Sequence, residues 1–308
     1  MTFFEQIKTL TGQVGILFVL MTAGAACGRF GLITRRGTAQ MTSLLVTLVT
    51  PCVMVVSFQT PFERDKALNL SAALALALAG TLTGAVLSAL CIRGGVKDKT
   101  TVLRFSVMFS NCGFMGLPLL KAVLGDEGLF FGSANVAVFN LITWTWGVYM
   151  FTGKGSAGSL KKALLNPGVI GAVLSISLFA AQIRLPGMIL TPVKYLPDMN
   201  TPLAMIIIGT YLSRVKLWDA LKDRRIYMAA ALRLLAVPLV MAGICRMLAV
   251  NDTLAVTAMV GAAAPTAVIA PVFAGMFKGD TALASKTVAV TTLISIMTIP
   301  LMIALVRL

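Results

Sequence analysis

Residues 110–120 read SNCGFMGLPLL, a Ser, an Asn, two Gly and a Pro set inside a long apolar segment. Proline removes a backbone donor and clashes with the carbonyl one turn back, and glycine leaves helical geometry cheaply. The stretch therefore predicts a helix that breaks in its middle. Backbone freed of its helix inside a bilayer is tolerated only where protein buries it or a watery cavity meets it.

The surrounding chain makes a bilayer the expected setting. Its 308 residues are 58% hydrophobic and 12% charged. Soluble domains carry about twice that charge. Apolar runs long enough to span about 30 Å of hydrocarbon recur from end to end. Ten are expected, at 12–30, 41–58, 69–92, 102–124, 129–151, 165–183, 197–213, 226–249, 254–277 and 282–306. The fold class expected is all-α integral membrane, a single membrane domain with short connections.

The formal charge of +15 is a topology signal rather than a nucleic-acid footprint. Seventeen Lys and Arg residues fall on the side of the connections 1–2, 3–4, 5–6, 7–8 and 9–10, against eight on the other, with Arg233 left inside span 8. Positive residues stay cytoplasmic, which places both termini outside. The N-terminus MTFFEQIKTL has neither a basic n-region nor a small-residue cleavage site, so the first span is expected to remain as an anchor. Cys27, Cys52, Cys91, Cys112 and Cys245 form no CxxC and read as small buried membrane residues, and no cofactor or metal is expected.

Ten spans invite a search for a repeat. Thr50–Pro51 and Thr201–Pro202 are 151 residues apart; Gly125–Asp126 and Gly279–Asp280 are 154 apart, as are Asn111 and Pro265. These matches hold one register across spans 2/7 and 4/9. Five spans is an odd number, so the second copy enters the membrane from the opposite face, giving an inverted repeat. The expected division is 1–151, a polar cytoplasmic link at 152–164 (FTGKGSAGSLKKA), and 165–308.

The partner of the opening stretch is GAAAPTAVIAPVFAG at 261–275, with Pro265 and Pro271. Two interrupted helices in matching halves point to a transporter's central site. Each break exposes a half-helix N-terminus with free N–H groups and partial positive charge, which suits an anion. Asn111 adds a donor and an acceptor there. The alternative is a Pro/Gly kink used for close packing, at Gly113, Gly116 and Pro118 as much as at Pro51, Pro202 and Pro271. Thr50 and Thr201 either meet a substrate or back-bond in their own helices. Asn135 and Asn140 serve as interhelical glue or as contacts. Trp144, Trp146 and Tyr149 resemble an interfacial belt. Arg233 either snorkels to the cytoplasmic surface or draws an anion into the inner vestibule, and Lys121 has the same choice outside. No Asp or Glu sits at the centre of a span and the chain has no His, which argues against a conventional proton or sodium carboxylate.

These residues resemble the auxin efflux carrier family, which includes plant auxin exporters and bacterial permeases. The plant motif in the fourth helix reads P-N-x-x-x-M-G-x-P, and Asn111, Met115, Gly116 and Pro118 match it. In the ninth helix Pro265 matches the crossover proline, and Val272, Phe273 and Ala274 match the V-F-A tail. The resemblance covers the whole chain. It implies two inverted five-helix repeats with crossing helices 4 and 9, as in NhaA and the bile-acid transporters. It also implies scaffold and transport domains moving as an elevator, a homodimer, and a small organic anion such as malate, malonate or auxin as substrate. By matching position Asn111 and Pro265 flank the site, with Cys112, Gly113 and Thr266 beside them. Ser110 and Thr266 depart from the plant motif, where Pro and Gln stand, so a looser crossing or one formed through Gly113 is expected. The short link favours a permease of the bacterial type in the cytoplasmic membrane. The function expected is a permease leaning to export or electrogenic facilitated movement. The alternatives are sodium- or proton-coupled dicarboxylate uptake and an anion channel.

Overall fold

A computed structural model describes residues 3–153, 161, 164–220 and 222–307, with side chains omitted at 3–10 and 217. The described residues are helical throughout, with one isolated backbone bridge and no strand. Besides two short helices, Val148–Thr152 and Leu217–Ala220, the helices are α1 (Phe3–Arg29), α2 (Arg35–Ser57), α3 (Arg64–Cys91), α4 (Lys97–Met108) and α5 (Leu117–Ile142). They continue as α6 (Pro167–Ala180), α7 (Gly187–Leu212), α8 (Arg224–Met247), α9 (Asp252–Ala263), α10 (Ala270–Met276) and α11 (Thr281–Val306).

Five of them, Thr11–Arg29 within α1, α2, α3, α8 and α11, are long and apolar enough to cross a membrane. Their outward faces are apolar: Val19 is 69% exposed and Met297 81%, which in water would be an aggregation surface and in lipid is the expected contact. Expected spans 4 and 9 are interrupted, as α4 plus the first part of α5, and as α9 plus α10. Gly125, at φ +64°, then breaks α5 where spans 4 and 5 were expected to part. A left-handed φ is open to glycine without a Cβ penalty. Several helices begin before their expected spans. The largest offset is at α7, which begins at Gly187, ten residues early, because Pro192 and Pro197 are carried inside the helix rather than ending it. Of the link expected at 152–164, only 152, 153, 161 and 164 are described, so that boundary lies outside the described residues.

Prolines also explain three widened turns. π-turns at Leu45–Val49, Cys112–Gly116 and Leu232–Ala236 each lead into a proline two residues on, at Pro51, Pro118 and Pro238. A proline cannot donate to the preceding turn and its ring crowds that turn's carbonyl, so the ladder widens by one residue instead of breaking. Side-chain caps fix several starts: Asn166 accepts from Gly168 N for α6, Asn251 from Leu254 N for α9, and Asp280 from Leu283 N for α11, each at 2.9 Å.

α1 packs on α7 and α2 on α6, while α3 packs on α4, α5, α8 and α9. The α1–α7 approach is close enough that a Cβ on Gly24 would strike the Ile206 carbonyl and one on Gly209 the Met21 carbonyl. Pro51 of α2 fits against Gly171 of α6 in the same way.

Candidate functional site

The two interrupted helices meet at their breaks. Ser110 and Thr266 lie opposite each other in an antiparallel bridge. Asn111 N donates to Pro265 O at 2.7 Å, and Ala267 N donates to Phe109 O at 2.9 Å. Each break thus supplies an acceptor for one backbone N–H of the other, which helps unwound chain to sit in a protein interior. Thr266, fully buried, donates its hydroxyl to Ser106 O at 2.9 Å and its N–H to Thr291 Oγ1 at 3.2 Å. The expectation of a looser crossing at Ser110 is not met. The crossing is a paired backbone at Ser110 itself, not a bend through Gly113.

On one side of the bridge lies a cavity of about 90 Å³. Ser110, Asn111 and Gly113 line it from the first break, Ala267, Val268 and Ile269 from the second, and Asn140, Thr50 and Asn166 from α5, α2 and the α6 cap. Asn111 is 4% exposed, and its side-chain nitrogen has no partner among the described residues. A buried amide donor left unmade costs about 1–3 kcal/mol, so such a group needs a reason. Beside it the π-turn Cys112–Gly116 begins. Met115 N and Gly116 N both donate to Asn111 O at 3.1 Å. The N–H groups of Cys112, Gly113 and Phe114 are first-turn groups, which lack intrahelical acceptors. One unpaired amide donor at the positive end of a helix suits a carboxylate. Val46, Phe114, Val136, Phe139 and Trp144 supply apolar walls.

The other expected residues divide. Thr50 both back-bonds, to Leu45 O at 2.9 Å, and lines the cavity. Asn140 does the same, donating to Val136 O at 2.9 Å. Asn135 ties α5 to α9 through Thr257 O at 3.2 Å, the interhelical role. Cys112 lies across the bridge from the cavity, its thiol 3.7 Å from Asn135 O. Pro265 and Thr266 build the bridge without lining the cavity. Thr201 and Pro202 are not among the cavity walls, and Pro202 is exposed on α7. Trp146 and Tyr149 are exposed with rings 5.2 Å apart, as a belt requires, but Trp144 turns inward onto Phe273 at 5.1 Å. Lys121 reaches the surface and pairs with Asp198 at 3.2 Å. Cys112 and Cys245 are buried, whereas Cys91 is exposed.

Arg233 takes neither course expected of it. It is 2% exposed, so it does not snorkel, and it faces carbonyls rather than the vestibule. Nη1 donates to Val107 O at 2.8 Å and Met108 O at 3.4 Å, and Nη2 donates to Ala262 O. Those carbonyls end α4 and α9 at the bridge. Sequence reasoning also passed over Asn166, although Asn before Pro-Gly is a helix-start signature.

A wider pocket of about 550 Å³ shares Val268 with the cavity. Arg35, Arg214, Lys216 and Lys286 line it with a single acidic residue, Asp219. Arg214 bonds Ile33 O at 3.0 Å and Thr38 Oγ1 at 2.9 Å. Burial, with Arg35 nearby, holds its pKa below the ordinary guanidinium value.

Interrupted helices meeting beside a small, mainly apolar cavity with a few polar groups, in a chain with apolar outward faces, define a multi-pass membrane transporter. The chain belongs to the membrane transport protein family, the family of the auxin efflux carriers, which it matches over residues 9–303. It is similar to an uncharacterized transporter of Methanothermobacter thermautotrophicus, 28% identical over 73% of this chain and 74% of the relative. A second uncharacterized transporter, from Methanocaldococcus jannaschii, is 26% identical over 63% of this chain and 64% of its own. It is a transporter rather than an enzyme.

Proposed function

We propose that this protein is a permease for a small organic anion carrying a carboxylate, bound in the cavity beside the bridge. The observation that carries this is the unpartnered, buried Asn111 amide at the start of a half-helix. A cavity of about 90 Å³ is well below the roughly 300–1,000 Å³ of drug-sized sites, which favours a short dicarboxylate such as malonate or malate over an indole acid. The basic pocket meeting it at Val268 attracts anions towards the site and corresponds to the cytoplasmic mouth in the orientation set by the positive residues.

The working cycle proposed is an elevator. α1, α2, α6 and α7 form the scaffold, and α3–α5 and α8–α11 form the moving domain. Ten spans are arranged as two inverted repeats, with both termini outside, in a bacterial cytoplasmic membrane and as a homodimer. The register of Gly125–Asp126 with Gly279–Asp280 supports the repeat, since the first sits at the break before the second part of α5 and Asp280 caps α11. A membrane potential is worth about 2.3 kcal/mol per charge per 100 mV, so a dicarboxylate with two negative charges leaves without a coupling ion, as does a monovalent anion with half the driving force. Export or facilitated electrogenic movement is therefore the direction proposed.

The test is Asn111→Ala in proteoliposomes. Flux is expected to fall to background while expression, membrane insertion and thermal unfolding stay as in wild type. Undiminished flux removes the cavity from the path.

A further inference from the structure

Among the described residues Arg233 is the one cation seated at the bridge, and none of them pairs a carboxylate with it. The ion pairs among the described residues are Lys121–Asp198, Arg225–Asp223 and Arg307–Asp252, none of which includes Arg233. Instead three backbone carbonyls, Val107, Met108 and Ala262, face one guanidinium. They lie in the last turns of two helices that stop at the same place, and each helix end carries about half a negative charge. Two such ends together balance one positive charge. Carbonyls at the ends of broken helices are also where secondary transporters hold a coupling sodium.

We propose that the carbonyl ends of α4 and α9 form a cation site and that the chain fills it with its own Arg233. The guanidinium then does the electrostatic work of a coupling ion without being exchanged. It holds the two half-helices at the bridge and leaves transport independent of sodium. α8 is built to deliver it. The π-turn Leu232–Ala236, which Pro238 forces, contains Arg233. Gly84 of α3 lets that helix sit against Met108, with a Cβ there only 3.0 Å from the Met108 Cα, so the carbonyls stay enclosed. Nε has no partner among the described residues, and Arg233 borders, with Ser110, Cys112 and Asn135, a cavity of about 20 Å³, wide enough for one water.

The flux part of this inference rests on the permease function; the site itself does not. The test uses purified wild type, Arg233→Ala, Arg233→Lys and Arg233→Met in choline, sodium or millimolar guanidinium at one ionic strength. Thermal unfolding is read on all four and anion flux on the same proteins in liposomes. Wild type is expected to unfold and transport alike in sodium and choline. Arg233→Ala is expected to unfold at lower temperature and be silent in choline, and to regain stability saturably with guanidinium or sodium. Arg233→Lys keeps sodium-independent flux, and Arg233→Met, similar in bulk without charge, loses it. Should Arg233→Ala fail to accumulate, the Lys and Met variants decide. Equal stability of Lys and Met, absence of cation rescue, or a sodium requirement in wild type overturns the proposal. Cation rescue of stability with no anion flux in any protein keeps the site and removes the permease function.

Discussion

Ser110 and Thr266 face each other, but they contribute differently. The bridge bonds run from Asn111 N and Ala267 N, so Ser110's own N–H takes no part in them. Phe109 before it is extended, at φ −103° and ψ 112°, the conformation a following proline requires. Ser110→Pro is therefore expected to fold and transport, with stability changed by no more than about 1 kcal/mol. Thr266→Val loses the hydroxyl bond to Ser106 and is expected to cost about 1–3 kcal/mol by leaving a buried carbonyl unpaired. Thermal unfolding of the two variants side by side checks this, and a larger loss for Ser110→Pro contradicts the bridge geometry. Asn111 was legible from its place in a broken apolar segment. Arg233 was not. Its acceptors Val107 and Ala262 lie 126 and 29 residues away in sequence, and a charge inside a span reads by default as a side chain bound for the surface. Thr201 matched Thr50 in sequence register, yet register fixes a position along a helix and not the direction its side chain takes.

At the scale of helices, close approach matters more than hydrophobicity. Lipid is as apolar as a leucine side chain, so helix association in a membrane depends on small residues that let backbones meet. Gly209 against Met21 is such a contact between α1 and α7. Even a methyl group there meets backbone. Gly209→Ala is expected to destabilise by about 1–3 kcal/mol and to lower the yield of folded protein. Gly243→Ala on α8, with nothing within 4 Å of the new Cβ, is the matched control and is expected to be neutral or stabilising. Fluorescence-detected gel filtration of both variants gives the comparison, and equal behaviour contradicts the α1–α7 contact. Most helices were readable from apolar runs, and both interruptions from Gly and Pro. The start of α7 was not, because Pro192 and Lys194 interrupt the apolar run ahead of the expected span. The pairing of the two breaks was also hidden, since local sequence gives each interruption but not the hydrogen bonds between segments about 155 residues apart.

For the whole molecule, Arg233 sets the charge of the proposed moving domain at the bridge. In the proposed cycle a domain empty of substrate carries this fixed positive charge across the field, and a bound dianion such as malonate leaves it with one negative charge. The potential then acts on the empty and the loaded step in opposite senses, at about 2.3 kcal/mol per charge per 100 mV, while one-for-one anion exchange moves no net charge. Membrane potential is expected to change exchange between two anion pools little, and net efflux strongly. Equal voltage dependence of the two contradicts it. Class and membrane residence were readable from composition and charge placement. The substrate was not, because the cavity is assembled by α2, α5, the α6 cap and both breaks, and its size follows from packing.

The central claim is an anion permease that needs no coupling ion. The most direct measurement is transient current from the purified protein in proteoliposomes, with choline as the small cation and no proton gradient, on presenting malonate, malate, branched 2-oxo acids and indole-3-acetate in turn. Saturable current from a short carboxylate, lost in Asn111→Ala, is the result predicted. Silence with every anion until sodium or a proton gradient is supplied contradicts it.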